Sequence, residues 1–180
     1  MRRTSNIKLE IGKEKLMAGV EAYLDIETTG LSSYYGEVTV IGIYIVKGND
    51  ARFIQLVGEE ITLERLMLAL EDVDTIYTYN GSRFDLPFIQ DFLGVNLCDH
   101  FDHQDLMYDC WRNHLKGGLK AVERQLGIGR ELKDVDGYQA VILWWRYRNH
   151  GDKKALTTLL KYNREDVVNL RTLRHALGIC

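Results

Sequence analysis

Between residues 20 and 58 the apolar positions fall into three short runs: VEAYLDIET (20–28), VTVIGIYIVKG (38–48) and ARFIQLVG (51–58). They are rich in β-branched and aromatic residues, which suit a pleated surface, and are expected to be strands. KGND, between the second and third, is turn chemistry, so those two are expected to pair as a hairpin; SSYYGE (32–37) is a loop. From residue 62 the period changes. TLERLMLALEDV (62–73) has helical spacing with Thr62 as N-cap. DTIYTYNG (74–81) is a fourth strand closed by Asn80-Gly81, and LPFIQDFLG (86–94) is a short helix with Pro87 in its first turn. From about residue 105 the pattern is helical: DLMYDCWRNHL, LKAVERQLG, YQAVILWWRYRNHG and a last segment from Lys153 to Leu177. A short fifth strand is expected near CDHFDH (98–103). Three strands, a helix, a strand and then helices imply an α/β domain. Its mixed sheet would start antiparallel and continue parallel through a helical crossover. There is no G-x-G-x-x-G.

The first run contains a contradiction. Residues i and i+2 of a strand share a face, so Asp25 and Glu27 set two carboxylates side by side where a sheet should be buried. Unpaired buried charge is costly. An isolated D-x-E would ordinarily be a solvated strand end, but two further acids sit in apolar stripes. Asp85 could be an ordinary N-cap. It also lies three, four and seven residues before Phe88, Ile89 and Phe92, and so belongs to the helix face that packs inward. In KYNREDVVNLRTLRHAL, at about 100° per residue, Tyr162 and Asp166 fall in the arc of Leu159, Leu170, Leu173 and Leu177, while Glu165 falls outside it. If the helices bearing Asp85 and Asp166 pack on the sheet face that carries Asp25 and Glu27, four acids converge. Their mutual repulsion would raise their pKa values unless cations offset it. All-oxygen ligands suit Mg²⁺ or Mn²⁺, and a carboxylate site for two such ions suits in-line phosphoryl chemistry.

Composition sets limits without changing this reading. The 180 residues, 46% hydrophobic, suffice for one domain with a substantial core, expected to span 1–180 with 1–19 as a short lead-in. Lys+Arg is 23 and Asp+Glu 26, a net charge of −3 that neither announces nor excludes nucleic acid. The three cysteines, Cys98, Cys110 and Cys180, form no C-x-x-C and suggest reduced thiols. There is neither a signal-peptide pattern nor an apolar run of membrane-spanning length, so a cytoplasmic protein without membrane association is expected.

DIETTG, then N-x-x-x-F-D from Asn80 to Asp85, then Y-x-x-x-D from Tyr162 to Asp166, resemble in order and spacing the three motifs of the DEDD 3′–5′ exonuclease superfamily. The tyrosine is similar to its DEDDy branch, which includes the proofreading domains of family-B DNA polymerases. The size, with GGLKAVERQLG and WWRYRNHGD before the last motif, resembles stand-alone bacterial and archaeal exonucleases. The resemblance covers most of residues 20–175. It implies a ribonuclease-H-like fold and hydrolysis from a nucleic-acid 3′ end, releasing nucleoside monophosphates. It implies Asp25, Glu27, Asp85 and Asp166 as ligands of two divalent ions, with Asp25 bridging them. Tyr162 would orient the attacking water. Thr28 and Leu31 would meet the terminal nucleotide, with Asn80 near the substrate. Many stand-alone members carry histidine at the tyrosine position. Tyrosine is the poorer base at neutral pH, so Tyr162 is expected to position water rather than deprotonate it.

Other features compete. His100, Asp102, His103 and Asp105 form an H-x-x-H with neighbouring acids, but no second ligand pair follows for zinc, and Asp105 is better read as a helix N-cap. Trp144, Trp145 or Tyr147 could stack bases; at helical spacing at least one tryptophan is expected in the core. Lys116, Lys120, Arg124, Arg146, Arg148, Lys153, Lys154 and Arg164 could hold phosphates collectively, although any one alone reads as a solvated face. Arg83, beside Asp85, is the single most suggestive substrate-binding choice. The reading is a metal-dependent 3′–5′ exonuclease on single-stranded or frayed DNA or RNA. The alternatives are a structure-specific endonuclease on the same fold and a non-catalytic nucleic-acid-binding module.

Overall fold

The computed structural model describes residues 19–179; most of the expected lead-in and Cys180 lie outside them. The order is β1 (Glu21–Thr28), β2 (Val38–Lys47), β3 (Asp50–Val57), α1 (Leu63–Ala69), β4 (Thr75–Thr78), α2 (Asp85–Leu93), β5 (Asp102–Asp105), α3 (Leu106–Arg112), α4 (Leu119–Leu126), α5 (Gly137–His150) and α6 (Lys153–Ala176). The five strands form one sheet in the order β3-β2-β1-β4-β5. β1, β2 and β3 pair antiparallel, and β4 and β5 run parallel to β1. The expected α/β mixed sheet is therefore the one observed. Among the described residues no helix is long and apolar enough to cross a membrane.

The β2–β3 hairpin closes through Lys47↔Asp50, with Gly48 at φ 61 making a turn that a side chain would strain. Thr62 accepts the N–H of Arg65 and caps α1. The fifth strand lies later than expected, at Asp102–Asp105, because residues 97–99 wind into a single 3-10 turn. The fourth strand stops at Thr78; two residues on, Asn80 turns to φ 63.

Alternation along β1 divides the core between the two sheet faces. Ala22, Leu24 and Ile26 pack with Leu66, Leu70, Leu86, Phe88 and Ile89, so α1 and α2 cover one face. Tyr23 packs with Tyr77, Leu106, Val122, Leu170 and Leu173 on the other, under α3, α4 and α6. Val40, Trp144, Leu159 and Tyr162 continue that second layer through α5. Asp25 and Glu27 share the face of Tyr23, and α6 crosses them. This corrects one expectation: α2, which bears Asp85, packs on the opposite face. It also narrows the expected stripe, because Phe92 is 40% exposed and Leu93 turns to the core instead.

Candidate functional site

β1 and β4 pair only as far as Tyr23↔Tyr77. Beyond that, the N–H of Ile26 donates to Asp85 Oδ1 at 3.1 Å. Asp85 is the first residue of α2 and so reaches the site around the carboxyl end of the sheet, although its helix lies on the far face. The register of β1 against β2 shifts between Glu27 and Thr28, a bulge of the kind that re-aims side chains at a strand end. Ligand sites of open α/β sheets form at this edge.

Asp25 pairs with Gly42 of β2. A Cβ on Gly42 would lie 2.1 Å from Asn163 Oδ1, so only glycine lets α6 come this close. Asn163 is wholly buried. Its Nδ2 donates to the Asp25 carbonyl at 3.2 Å and to Asp25 Oδ2 at 3.1 Å. Gln55 Nε2 donates to Asn163 Oδ1 at 2.9 Å and sets the amide's orientation. One turn along α6, Asp166 projects to the same place: one oxygen from each of Asp25, Glu27 and Asp166 lies within 4.8 Å of the others. The structure therefore gathers three of the four acids into one cluster and sets Asp85 beside it.

Burial, followed by repulsion from Asp166 and Asp85, pushes the Asp25 and Glu27 carboxyls well above the usual carboxylate range. Burial lifts Asp85 to about 7 against two backbone N–H bonds that favour its ionised form. Asp166 rises to about 6, burial again outweighing the Arg130 guanidinium. Burial and then the Asp166, Glu27 and Asp25 carboxylates raise Tyr162 so far that it stays a neutral phenol. Glu27 Oε1 is buried without a hydrogen-bond partner. An all-carboxylate donor set with an unpartnered buried oxygen fits a hard divalent cation.

Two cavities flank the cluster and share Asp25, Gly137, Tyr162 and Asp166. One, of about 540 Å³, is walled by Thr28, Leu31, Phe84, Tyr138 and Val141. The other, of about 710 Å³, is walled by Tyr79, Asn80, Lys120, Arg124 and the Gly117-Gly118 step. Thr28 and Leu31 thus stand on the apolar side, Leu31 being 92% exposed, and Asn80 stands on the polar side. Arg83 is placed elsewhere: it is exposed, outside both linings, with its guanidinium 5.6 Å from the Trp111 ring. Among the described residues, the metal-capable group is Asp25, Glu27 and Asp166 and does not include the H-x-x-H. His100 is exposed, and His103 Nε2 meets Thr78 Oγ1 at 2.9 Å. Trp144 is buried, whereas Trp145 is exposed.

Sequence reasoning missed the groups that hold the acids. Arg130 forms ion pairs with Asp166 and Glu123. Asn169 Nδ2 donates to Glu123 Oε1 at 2.9 Å. Glu123 is 1% exposed and falls between Leu119 and Leu126 at helical spacing, the signal that marked Asp85 and Asp166. Lys120 Nζ sits 4.6 Å from the centre of the Tyr162 ring, within cation–π range. Asp105 is the N-cap of α3, accepting from Met107 N. It also accepts Asn80 N at 2.7 Å and Ser82 N at 3.0 Å, which fixes the loop leading to Asp85.

Comparison with known proteins agrees with this architecture. The Bacillus subtilis (strain 168) protein YprB is 30% identical over 168 residues, covering 84% of this chain; the chain spans only 40% of that relative's length. The family B DNA polymerase of Pyrobaculum calidifontis superposes on 89% of this chain and 24% of its own, with TM-score 0.68 and 18% identity. Brucella melitensis NrnC bound to pGG superposes on 88% of this chain and 71% of its own, with TM-score 0.60 and 21% identity. The same protein with bound Mg²⁺ gives 0.56 at 19% identity, over 88% and 71%. These likenesses are of fold, the one used by DEDD-type exonucleases. The family model matches residues 22–178, nearly all of the described structure, and the chain belongs to the RNase_H superfamily.

Proposed function

We propose that the protein is a metal-dependent 3′–5′ exonuclease that hydrolyses phosphodiester bonds of single-stranded or frayed nucleic acid. Asp25, Glu27, Asp85 and Asp166 would hold two divalent ions, Mg²⁺ or Mn²⁺. The observation that carries the reading is the cluster of Asp25, Glu27 and Asp166 oxygens in an open cleft, with Glu27 Oε1 buried and unpartnered. Such ions supply Lewis-acid stabilisation of the phosphoryl group and lower the pKa of water.

The chain's own residues account for the rest. Neutral Tyr162 can donate its phenolic proton to a hydrogen bond but cannot serve as a base, so its part is to orient the nucleophilic water. Asn163 and Gln55 hold Asp25 in place, while Arg130 holds Asp166. Leu31, Phe84, Tyr138 and Val141 offer an apolar wall for an unstacked terminal base. NrnC structures with pGG and with Mg²⁺ support a nucleic-acid substrate and a magnesium cofactor by fold analogy. The order of the three motifs supports 3′–5′ polarity. A single domain and a cytoplasmic location belong to the same proposal, the latter supported by the free thiols Cys98 and Cys110.

The test uses 5′-labelled single-stranded DNA and RNA with Mg²⁺ or Mn²⁺, with EDTA and Asp25→Ala as controls. A ladder shortening from the 3′ end by single nucleotides, absent from both controls, is expected. Internal fragments would indicate an endonuclease. No cleavage by folded protein that binds Mn²⁺ would reduce the role to binding.

A further inference from the structure

The polar side of the cleft does not end at the acid cluster. A further cavity of about 370 Å³ continues past α4 to the Gly127–Gly129 turn. It shares Lys120 and Arg124 with the polar cavity and ends at Lys133. Lys120 and Arg124 are four residues apart on one face of α4, about 6 Å along its axis. We infer that this groove is a track for the internal phosphates of a single nucleic-acid strand, with Lys120, Arg124 and Lys133 each facing a different phosphate. The inference rests on the nuclease reading for its substrate class, and deepens it.

Four observations separate the track from an ordinary solvated helix face. Some basic residues of the domain have acidic partners, as Arg65 has Glu60, Arg146 has Asp152 and Lys161 has Glu131. Lys120, Arg124 and Lys133 have no ion-pair partner among the described residues. The acid lining the outer cavity, Glu123, is already taken by Arg130. The walls at both ends of α4 are glycine, and added Cβ atoms at Gly118, Gly127 and Gly129 would meet nothing within 4 Å, which leaves room for a second backbone. Finally, α4 begins at Gly118 with neither a side-chain cap nor an acid in its first turn, so its free N–H groups add positive potential to the same wall. Basic side chains without ion-pair partners among the described residues, in a groove continuous with the acid cluster, match a polyanion. The apolar cavity on the other side of the cluster would take the terminal nucleoside, so the rest of the strand runs over α4.

The experiment is anisotropy titration of labelled dT2 and dT8 in EDTA, where cleavage does not intervene, across a series of NaCl concentrations. Arg124→Gln/Lys133→Gln is compared with the unaltered protein, with Arg124→Lys/Lys133→Arg as the charge-conserving variant. Arg65→Gln, on α1 across the sheet, is the control. Single-strand binding loses about 0.7 in the slope of log K against log salt per phosphate contact removed. The double glutamine variant should therefore lose about 1.4 on dT8. With curves converging near 1 M salt, that is about 25-fold weaker binding at 0.1 M. The charge-conserving variant should keep the slope, and dT2 should be affected less than dT8. An unchanged slope on dT8, or an equal loss in Arg65→Gln, overturns the track. If the slope falls as expected but the cleavage assay is negative, the track stands as a binding site and the nuclease reading fails. If cleavage occurs with an unchanged slope, only the track fails.

Discussion

In the absence of divalent ions, raising the pH should destabilise this fold, opposite to the usual behaviour of carboxylates paired in a native state. Asp85, lifted to about 7 chiefly by burial, titrates near 3.9 in an unfolded chain. The folded state holds this proton more tightly. Its stabilising effect is therefore complete below pH 4 and is lost as the pH rises through about 7. Two pH units of that window lie above pH 5, so Asp85 alone withdraws on the order of 3 kcal/mol between pH 5 and pH 8. For a domain of this size that is a fall in Tm of about 6–12 °C. Asp166, lifted to about 6, acts in the same direction. His103, whose burial lowers its pKa, acts oppositely as the pH rises through its titration range. The slope is therefore read as the difference between the protein and Asp85→Asn. Asp152, held low first by the Ala155 N–H, acts only at more acid pH. Mg²⁺ at a hundred times its Kd returns about 2.7 kcal/mol, and should do so at pH 8 far more than at pH 5, where protons compete for the same oxygens. Differential scanning fluorimetry in EDTA and in Mg²⁺ tests this. A Tm in EDTA that is flat or rises relative to Asp85→Asn would refute the reasoning, as would a Mg²⁺ shift of equal size at both pH values.

Gly42→Ala should destabilise by about 2–4 kcal/mol, because the new Cβ drives Asn163 from a fully buried position and breaks its bonds to Asp25; a Tm within 1 °C of the parent (about 0.5 kcal/mol) would contradict the close approach. Arg130→Gln strands the Glu123 carboxylate, 1% exposed, and should cost about 3–5 kcal/mol; Glu123→Gln/Arg130→Gln should recover part of this in chemical denaturation. Tyr162→Phe should lower kcat about tenfold to a hundredfold through misplaced water, with the shape of the pH–rate profile below pH 9 unchanged; loss of an ascending limb would show that the phenol titrates in catalysis.

Much of this molecule could be read from periodicity. Alternation in β1 set Asp25 and Glu27 on one face, and the α6 stripe carried Tyr162 and Asp166 while leaving Glu165 outside. Those signals are local, set by the side-chain period of a strand or a helix. Glu123 carried the same mark, an acid at an apolar position of α4, inside the GGLKAVERQLG segment but outside the three acid-bearing motifs. Arg130 carried no such mark, whereas Asn163 did, falling about 40° from Leu159 within the α6 arc. Arg130 follows α4 in an irregular segment, where no period constrains the side chain. Asn163 matters because Gly42, 121 positions earlier, leaves room for it, and a cross-chain vacancy of that kind has no local signature.

Asp85 stands beside the acid cluster by a geometry other than the one its stripe predicts. An inward-facing position predicts contact with the sheet surface that bears Asp25, yet α2 covers the other surface through Leu86, Phe88 and Ile89. A helix has inner positions along its length, but only its first turn projects past the end of the sheet. Asp85 is that first residue. The Asp105 carboxylate fixes the approach by taking the N–H groups of Asn80 and Ser82, and the Ile26 N–H, free of β4, supplies the contact. The site is thus built where the parallel strands stop: the antiparallel half contributes Gly42 of β2, beside β1, and Gln55 of β3, and the parallel half contributes the loop that swings Asp85 around the edge. Acids from both faces of one sheet can meet only at such an edge, so the cost of gathering them falls on a few terminal residues and leaves the two cores apolar.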